Sequence, residues 1–360
     1  MKRKCINRSI LLLVLWLGSG MLALAQNAED SKAVVKTFAA TDADSIRQVL
    51  IQTQYSTVNV SSWNRSDARV AVIVSVRAEN ADRARELLDK IEIEYKRTGD
   101  EARATTLVNG DADNFAWLRK HAKEFSIRYD IRLPSTAGLK VSNDFGTLQI
   151  DSLRGPLHTL MDYGNVSATA LKNNNNYFEG DYANFHIHFL QAGKFAGDYA
   201  KIFLDFGFYV RIAGDYNTMR LQRVKKLNVN GDYNKIQAKR IKDLFSIGDF
   251  QEITVDRIYN IRTRGDYNKI VLHELGRGFH NFITSGDFTR ITITNPKAVA
   301  YVLKMDTENS EWKISGLKSE SSGKDKDTHI RTYYGKPDAR ALIRIEGDYL
   351  QIAITNPSNF

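Results

Sequence analysis

The sequence predicts a mainly β protein, a single-chain parallel β-solenoid with laps of about 17 to 18 residues. Three observations predict it. An Asp-aromatic pair recurs at Asp144-Phe145, Asp162-Tyr163, Asp181-Tyr182, Asp198-Tyr199, Asp215-Tyr216, Asp232-Tyr233, Asp249-Phe250, Asp266-Tyr267, Asp287-Phe288 and Asp348-Tyr349, with a constant step of 17 from Asp181 to Asp266. Four and six residues after each Asp stand apolar side chains, such as Ile236 and Ala238 or Ile253 and Val255, with mostly polar neighbours, which is the alternation of a strand with one buried face. A second apolar stretch then closes each lap before a Gly-Asp corner, as in LNV at 227–229 and LFSI at 244–247. Seventeen residues are too few for the helix pair of a 34-residue array or for a propeller blade. Stacked laps bonded one to the next by backbone pairing account for the period.

Taken in chain order, residues 1–25 read as a signal peptide. Lys2, Arg3, Lys4 and Arg8 precede an apolar run from Ile10 to Leu17, and Ala23-Leu24-Ala25 offers a small-x-small cleavage site near Ala25. The run is short for a membrane span and is broken by Gly18, Ser19 and Gly20. Residues 26–134 break the period and read as an N-terminal β-rich cap containing one helix at about 80–91. Gln54-Tyr55-Ser56-Thr57-Val58-Asn59-Val60 is a degenerate first lap, and ARVAVIVSVRA (68–78) is a strand. In the helix Asn80 is the N-cap, with Ala84, Leu87, Leu88 and Ile91 on one face. Strands are expected again at 91–97, 103–108 and 125–133. Residues 135–296 carry the repeats. Residues 297–360 form a C-terminal capping excursion and a final lap, because IAITNP at 352–357 nearly copies ITITNP at 291–296. Within the excursion SESSGKDKDTH (319–329) reads as an exposed loop.

Composition bounds the function. The 360 residues are 42% apolar, enough for a core. The one cysteine, Cys5, lies in the leader, so no disulfide is expected in the exported chain. A formal charge of +9 includes the four basic residues of the leader; the mild excess that remains fits anionic envelope polymers or lipid head groups and argues against nucleic acid.

Four residue sets carry candidate chemistry. The Asp column reads as corner capping, with carboxylates accepting nearby backbone N–H groups, because calcium rolls need several oxygen ligands per turn. The aromatic column, occupied in every lap, reads as an internal stack, with sugar-facing rings as the alternative. A low-weight basic face comprises Lys201, Arg220, Lys235, Lys239, Lys269 and Arg290, against a background of mixed-sign solubilising charge. His186, His188 and Asp205 form a weak metal candidate without an evident fourth ligand; no metal and no cofactor is expected. No phosphate loop, nucleophile elbow or paired acid and base emerges, which weighs against an enzyme.

FGTLQIDSLRGPLHTLMDYGNVSATAL, QYSTVNVSSW, the helix followed by IEIEY, and the closing YYG and ALIRIEGDYLQIAI together resemble the bacterial family of exported putative adhesins, a domain of unknown function. The resemblance implies a signal-peptide-bearing β-solenoid with no established catalytic residues, so no functional residue carries over from it. Together these readings predict a non-enzymatic, adhesin-like scaffold at the cell envelope that is periplasmic, surface-associated or secreted and binds an envelope polymer or glycan. The alternative is an accessory or sensor protein of an envelope-stress system with a membrane signalling partner; a glycan-cleaving enzyme ranks below both.

Overall fold

The computed structural model describes residues 30–38, 45–316 and 321–357. The signal peptide read at 1–25 lies outside them. Among the described residues the chain is mainly β, with 24 strands in one hydrogen-bonded sheet and two helices.

The described residues begin with β1 (Asp30–Phe38), β2 (Gln48–Gln54), β3 (Ser56–Trp63) and β4 (Ala68–Arg77). Alternation along β4 buries Ala68, Val70, Val72, Val74 and Val76. Helix α1 (Ala81–Asp89) starts where the Asn80 side chain accepts the N–H of Arg83 at 2.9 Å, and Ala84, Leu87 and Leu88 face the core. β5 (Ile91–Thr98) and β6 (Glu101–Val108) pair antiparallel. A second helix, α2 (Phe115–His121), precedes β7 (Glu124–Pro134), so the one-helix reading of this segment is corrected. At seven residues α2 is too short to show a repeating stripe. Its signals were Phe115 and Leu118 three apart and a basic last turn.

The middle of the chain runs through β8 (Gly138–Asp144), β9 (Thr147–Leu153), β10 (Leu157–Leu160), β11 (Asn165–Leu171) and β12 (Asn176–Glu179). Five 13-residue strands follow: β13 (Asn184–Ala196), β14 (Lys201–Ala213), β15 (Thr218–Asn230), β16 (Lys235–Ile247) and β17 (Glu252–Arg264). These five pair in parallel, with Ile202 opposite Met219, Met219 opposite Ile236 and Ile236 opposite Ile253. Each long strand covers two faces. The pairing skips Asp205 and Phe208 in β14 and the equivalent positions of its neighbours, which marks a second bend opposite the Gly-Asp corner. Both predicted apolar columns are buried through every lap, from Leu148 and Ile150 to Ile352 and Ile354.

The chain ends with β18 (Lys269–Leu272), β19 (Asn281–Ser285), β20 (Arg290–Thr294), β21 (Tyr301–Ile314), β22 (Ser321–Tyr334), β23 (Leu342–Glu346) and β24 (Gln351–Thr355). The SESSGKDKDTH stretch is therefore not a loop: from Ser321 it belongs to β22, a strand antiparallel to β21. Its polar composition suits an outer edge strand, where charge discourages pairing with another chain.

Both ends are laid down out of sequence order. β2 lies between β6 and β8, and β3 between β7 and β9, all parallel. The degenerate lap at Tyr55 is thus second in space. At the other end, β23 and β24 fill the layer between β19–β20 and the earlier-synthesised β21. Because β17 and β21 each span both faces, the pairings β17–β18–β20–β24–β21–β23–β19 close a ring of seven parallel strands. The outermost layers are covered by antiparallel partners: β4 on β7, β5 on β6, and β22 on β21. A parallel stack leaves its unpaired backbone groups at its two ends, and those pairings meet them there.

Candidate binding surface

The Gly-Asp-aromatic corner is built by three constraints that repeat at lap spacing. The glycines at 197, 214, 231, 248, 265, 286 and 347 hold φ between 131 and 149°. A β-carbon on Gly231 would sit 2.1 Å from the Gly214 carbonyl oxygen of the preceding lap. Only glycine meets both conditions. The next residue, Asp, does accept a backbone N–H, as expected, but that N–H belongs to the equivalent Asp one layer on. Asp215 Oδ1 accepts from Asp232 at 2.7 Å and Asp232 Oδ1 from Asp249 at 2.8 Å, and the series runs from Asp144 to Asp348 at 2.7–3.1 Å. The aspartates therefore tie layers together.

The aromatic column is not an internal stack. Eleven rings, Tyr55 through Tyr349, adopt φ of 53–58° and stack at centroid separations of 4.6–5.1 Å, with planes within 4° of parallel. From Phe145 onward each ring is 44–53% exposed. The left-handed backbone turns the ring outward and gives the buried corner position to the following residue. That position holds Asn217, Asn234, Gln251 and Asn268, whose amides donate to the glycine carbonyl of the preceding lap and whose oxygens, except that of Gln251, accept a backbone N–H from it. Each ring shields its neighbours' faces, so the exposed column presents ring edges rather than the faces on which a sugar would stack. At the N-terminal end Tyr55 is closed off by Phe115 of α2, by Phe125, and by the Arg119 guanidinium 5.0 Å above the ring. At the far end Asn309, with φ 49°, takes the ring position of the last layer, where Glu308 donates its N–H to Asp348 Oδ1.

The predicted basic residues do not form one stripe. Lys201, Lys235, Lys269 and Arg290 share a column, but Thr218 and Glu252 interrupt it. Glu252 binds Lys235 at 2.7 Å and Lys269 at 3.2 Å, and these hydrogen bonds hold its carboxyl below the ordinary range. Arg290 donates to Gln351, and Arg220 lies over the Phe203 ring. Lys239 stands apart at the second bend. The histidine trio does not converge either. His186 stacks on Phe203 at 4.3 Å, while His188 Nδ1 contacts Asp205 Oδ2 at 2.8 Å on an exposed surface. Among the described residues no group of three or more His, Cys, Asp or Glu is arranged to hold a metal ion.

No protein-family model matches the chain, and no curated protein matches it in sequence. Solved structures named as putative adhesins are similar to it. A putative cell adhesion protein from Clostridium sporogenes is 11% identical, covering 91% of this chain and 100% of that one with a TM-score of 0.21. A putative adhesin from Bacteroides fragilis is 9% identical over 91% and 97% of the two chains (TM-score 0.30), and one from Parabacteroides distasonis is 10% identical over 90% and 98% (TM-score 0.32).

Positive charge gathers at the second bend, where of the predicted basic face only Lys239 lies. β15 places Arg223, Lys225 and Lys226 there, and β16 places Lys239, Arg240 and Lys242 one layer away, all exposed. Aromatic side chains adjoin them: Lys225 Nζ sits 5.6 Å from the centroid of Phe208 and 5.8 Å from that of Tyr209. The signal was basic residues seventeen apart, Arg223 with Arg240 and Lys225 with Lys242, within QRVKK (222–226) and KRIKD (239–243). Among the described residues Arg223, Lys225, Lys226, Lys239, Arg240 and Lys242 make no ion pair, whereas one layer on Arg257 is held bidentately by Glu274 at 2.7 and 3.0 Å. Cations without an ion pair, carried on strands at lap spacing of about 4.8 Å, can meet several anionic groups of one polymer together.

Proposed function

We propose that the chain is an exported β-solenoid that acts as a non-enzymatic, adhesin-like binding scaffold at the bacterial cell envelope. The observation that carries this reading is the set of six unpaired cations at the second bend, held in register by β15 and β16. Layers tied by backbone pairing and by the Asp series cannot rearrange one at a time, so the backbone positions that carry the charges are set in advance and only the side chains remain to be ordered by an extended anion. Adhesion, the activity in the names of the similar structures, is what such a surface would do. Export rests on the leader at 1–25, and no helix of the described residues is long and apolar enough to cross a membrane.

The test is retention of the mature protein on crude anionic envelope polysaccharide, together with fractionation of the cells that make it. The expected result is an envelope or secreted location and retention that is lost as salt rises past about 0.15 M, where screening shortens to about 8 Å. Cytoplasmic recovery, or no retention at low salt, would contradict the reading. Release of reducing sugar from the same polysaccharide would show an enzyme instead.

A further inference from the structure

Beside the second bend lies a groove of ≈600 Å³ that none of the predicted site residues lines. One wall comes from an irregularity in the repeat. The step from Asp162 to Asp181 is 19 residues instead of 17, and the extra length is the asparagine run before β12. That wall is pinned. Asn173 Oδ1 accepts the Asn175 N–H at 2.9 Å and its Nδ2 donates to the Arg154 carbonyl at 2.8 Å, while the buried Asn176 donates to the carbonyls of Asn173 and Ala192 at 2.7 Å each. The pinning leaves the exposed side-chain amides of Asn174 and Asn175 without a hydrogen bond among the described residues.

The floor and far wall come from the closing halves of β13, β14 and β15. They supply Lys194, Arg211 and Lys226, and no carboxylate lines the groove. None of these three cations makes an ion pair among the described residues. Tyr209, 47% exposed, adds an aromatic wall. Asn228 also lines the groove, and its Oδ1 is a buried acceptor with no partner.

We propose that this groove binds an acidic oligosaccharide, a saccharide bearing carboxylate or phosphate groups. Three cations that make no ion pair among the described residues, with no carboxylate in the lining and Asp243 beside Lys226 one layer on, favour negative charge. The exposed amides of Asn174 and Asn175, each with an NH2 donor and a carbonyl acceptor, suit hydroxyl groups, which a bare phosphate ion lacks. A tyrosine wall suits the apolar face of a sugar ring, and the volume lies within the range of about 300–1,000 Å³ usual for ligand sites. Lys226 belongs both to the groove and to the cations of the second bend, so a longer polymer seated here continues onto Lys225 and Lys242. The proposal rests on the scaffold reading and gives it a ligand class and a place.

Titration calorimetry of the full mature chain tests it with trigalacturonate, a phosphorylated trisaccharide of equal size, neutral galactotriose and a trinucleotide. Binding of either acidic saccharide, at least about tenfold tighter than the neutral one and weakened by salt, is expected. Arg211→Ala, Lys226→Ala and Tyr209→Ala should each lower that affinity by about tenfold. Asn174→Asp, which adds a negative charge on an exposed loop without touching the core, should do the same. Lys269→Ala, outside the groove, should leave it unchanged. Which acidic saccharide binds identifies the anion. Neither binding, equal binding of the neutral sugar, or tighter binding of the trinucleotide overturns the proposal. If acidic saccharides bind but the four groove variants behave as wild type, the groove assignment fails while the scaffold reading stands.

Discussion

Each corner residue carries one task, and the tasks can be separated by substitution. Gly231→Ala forces an L side chain to φ 136° and drives its β-carbon toward a backbone oxygen of the preceding layer, which cannot move without displacing that layer. We expect a loss of about 3 kcal/mol or more in chemical denaturation. Asp232→Ala removes the acceptor for the Asp249 N–H and should cost about 1–2 kcal/mol, whereas Asp232→Asn keeps an oxygen there and should recover at least half. Asp144 is the first of the series. Burial pushes its carboxyl above the ordinary value of 3.8, with the Asp162 N–H opposing the shift. A folded-state pKa above the unfolded one means that this group's stabilising contribution is present below pH 3.8 and is lost as pH rises through the raised value. Asp144→Asn should therefore be at least as stable as wild type at pH 7 and lose that relative advantage below pH 3.8; a variant less stable at pH 7 would contradict the assignment.

At the scale of the strand and the column, the alternation of Ile236 and Ala238 with polar neighbours was legible because burial follows the pleat. The orientation of the rings was not. A period places Tyr216 above Tyr199 but is silent on the sign of φ, and the left-handed backbone at that residue is what turns the ring to solvent. The exposed column has a consequence at high pH. Burial by neighbours first, and then the charges of adjacent tyrosines and aspartates, push the Tyr182 and Tyr216 hydroxyls above 10. Raised values mean stability that is complete below pH 10 and lost as pH rises through the shifted range. Tyr182→Phe and Tyr216→Phe should move alkaline unfolding, followed by circular dichroism, to higher pH. The column already admits Phe145, Phe250 and Phe288. Unchanged alkaline transitions would show that the rings do not ionise as a coupled column. The end strands make a separate prediction. A chain stopped at residue 296 lacks β21 to β24 and leaves β19 and β20 without outer partners. Light scattering should show concentration-dependent association of that chain, as exposed sheet edges predict, and a stable monomer would contradict the covering role of the C-terminal strands.

For the whole molecule, the sequence showed how many times the chain returns to its corner but not the order in which layers are stacked. Tyr55 matched the aromatic column, yet nothing local says that β6 and β7, which lack the motif, lie outside it. The same holds at the other end, where β21 takes the outer layer with Asn309 at the ring position and leaves a slot that the Asp348-Tyr349 lap fills later. The groove escaped for a related reason: it is made by one 19-residue lap beside several of 17, and a search for regularity discards what departs from it. Most of the basic set chosen from strand columns spread across positions such as those that Glu252 pairs, and only Lys239 of it joins the unpaired cations at a bend whose location depends on where the pairing skips. In both cases what matters for binding lies where the repeat is broken or turned.

The central claim, one continuous parallel stack in register, is open to spin-label distances, because the sequence contains a single cysteine, Cys5, which can be replaced, and new ones can be placed at will. Gln149, Arg220, Thr254 and Thr292 share one column, separated from Gln149 by four, six and eight layers. At a layer spacing of about 4.8 Å, label pairs from residue 149 to residues 220, 254 and 292 should lie near ~19, ~29 and ~38 Å. Distances that rise in equal increments with layer number would support the stack. Distances that scatter, or that stop rising between 220 and 292, would place those residues in separate units and contradict it.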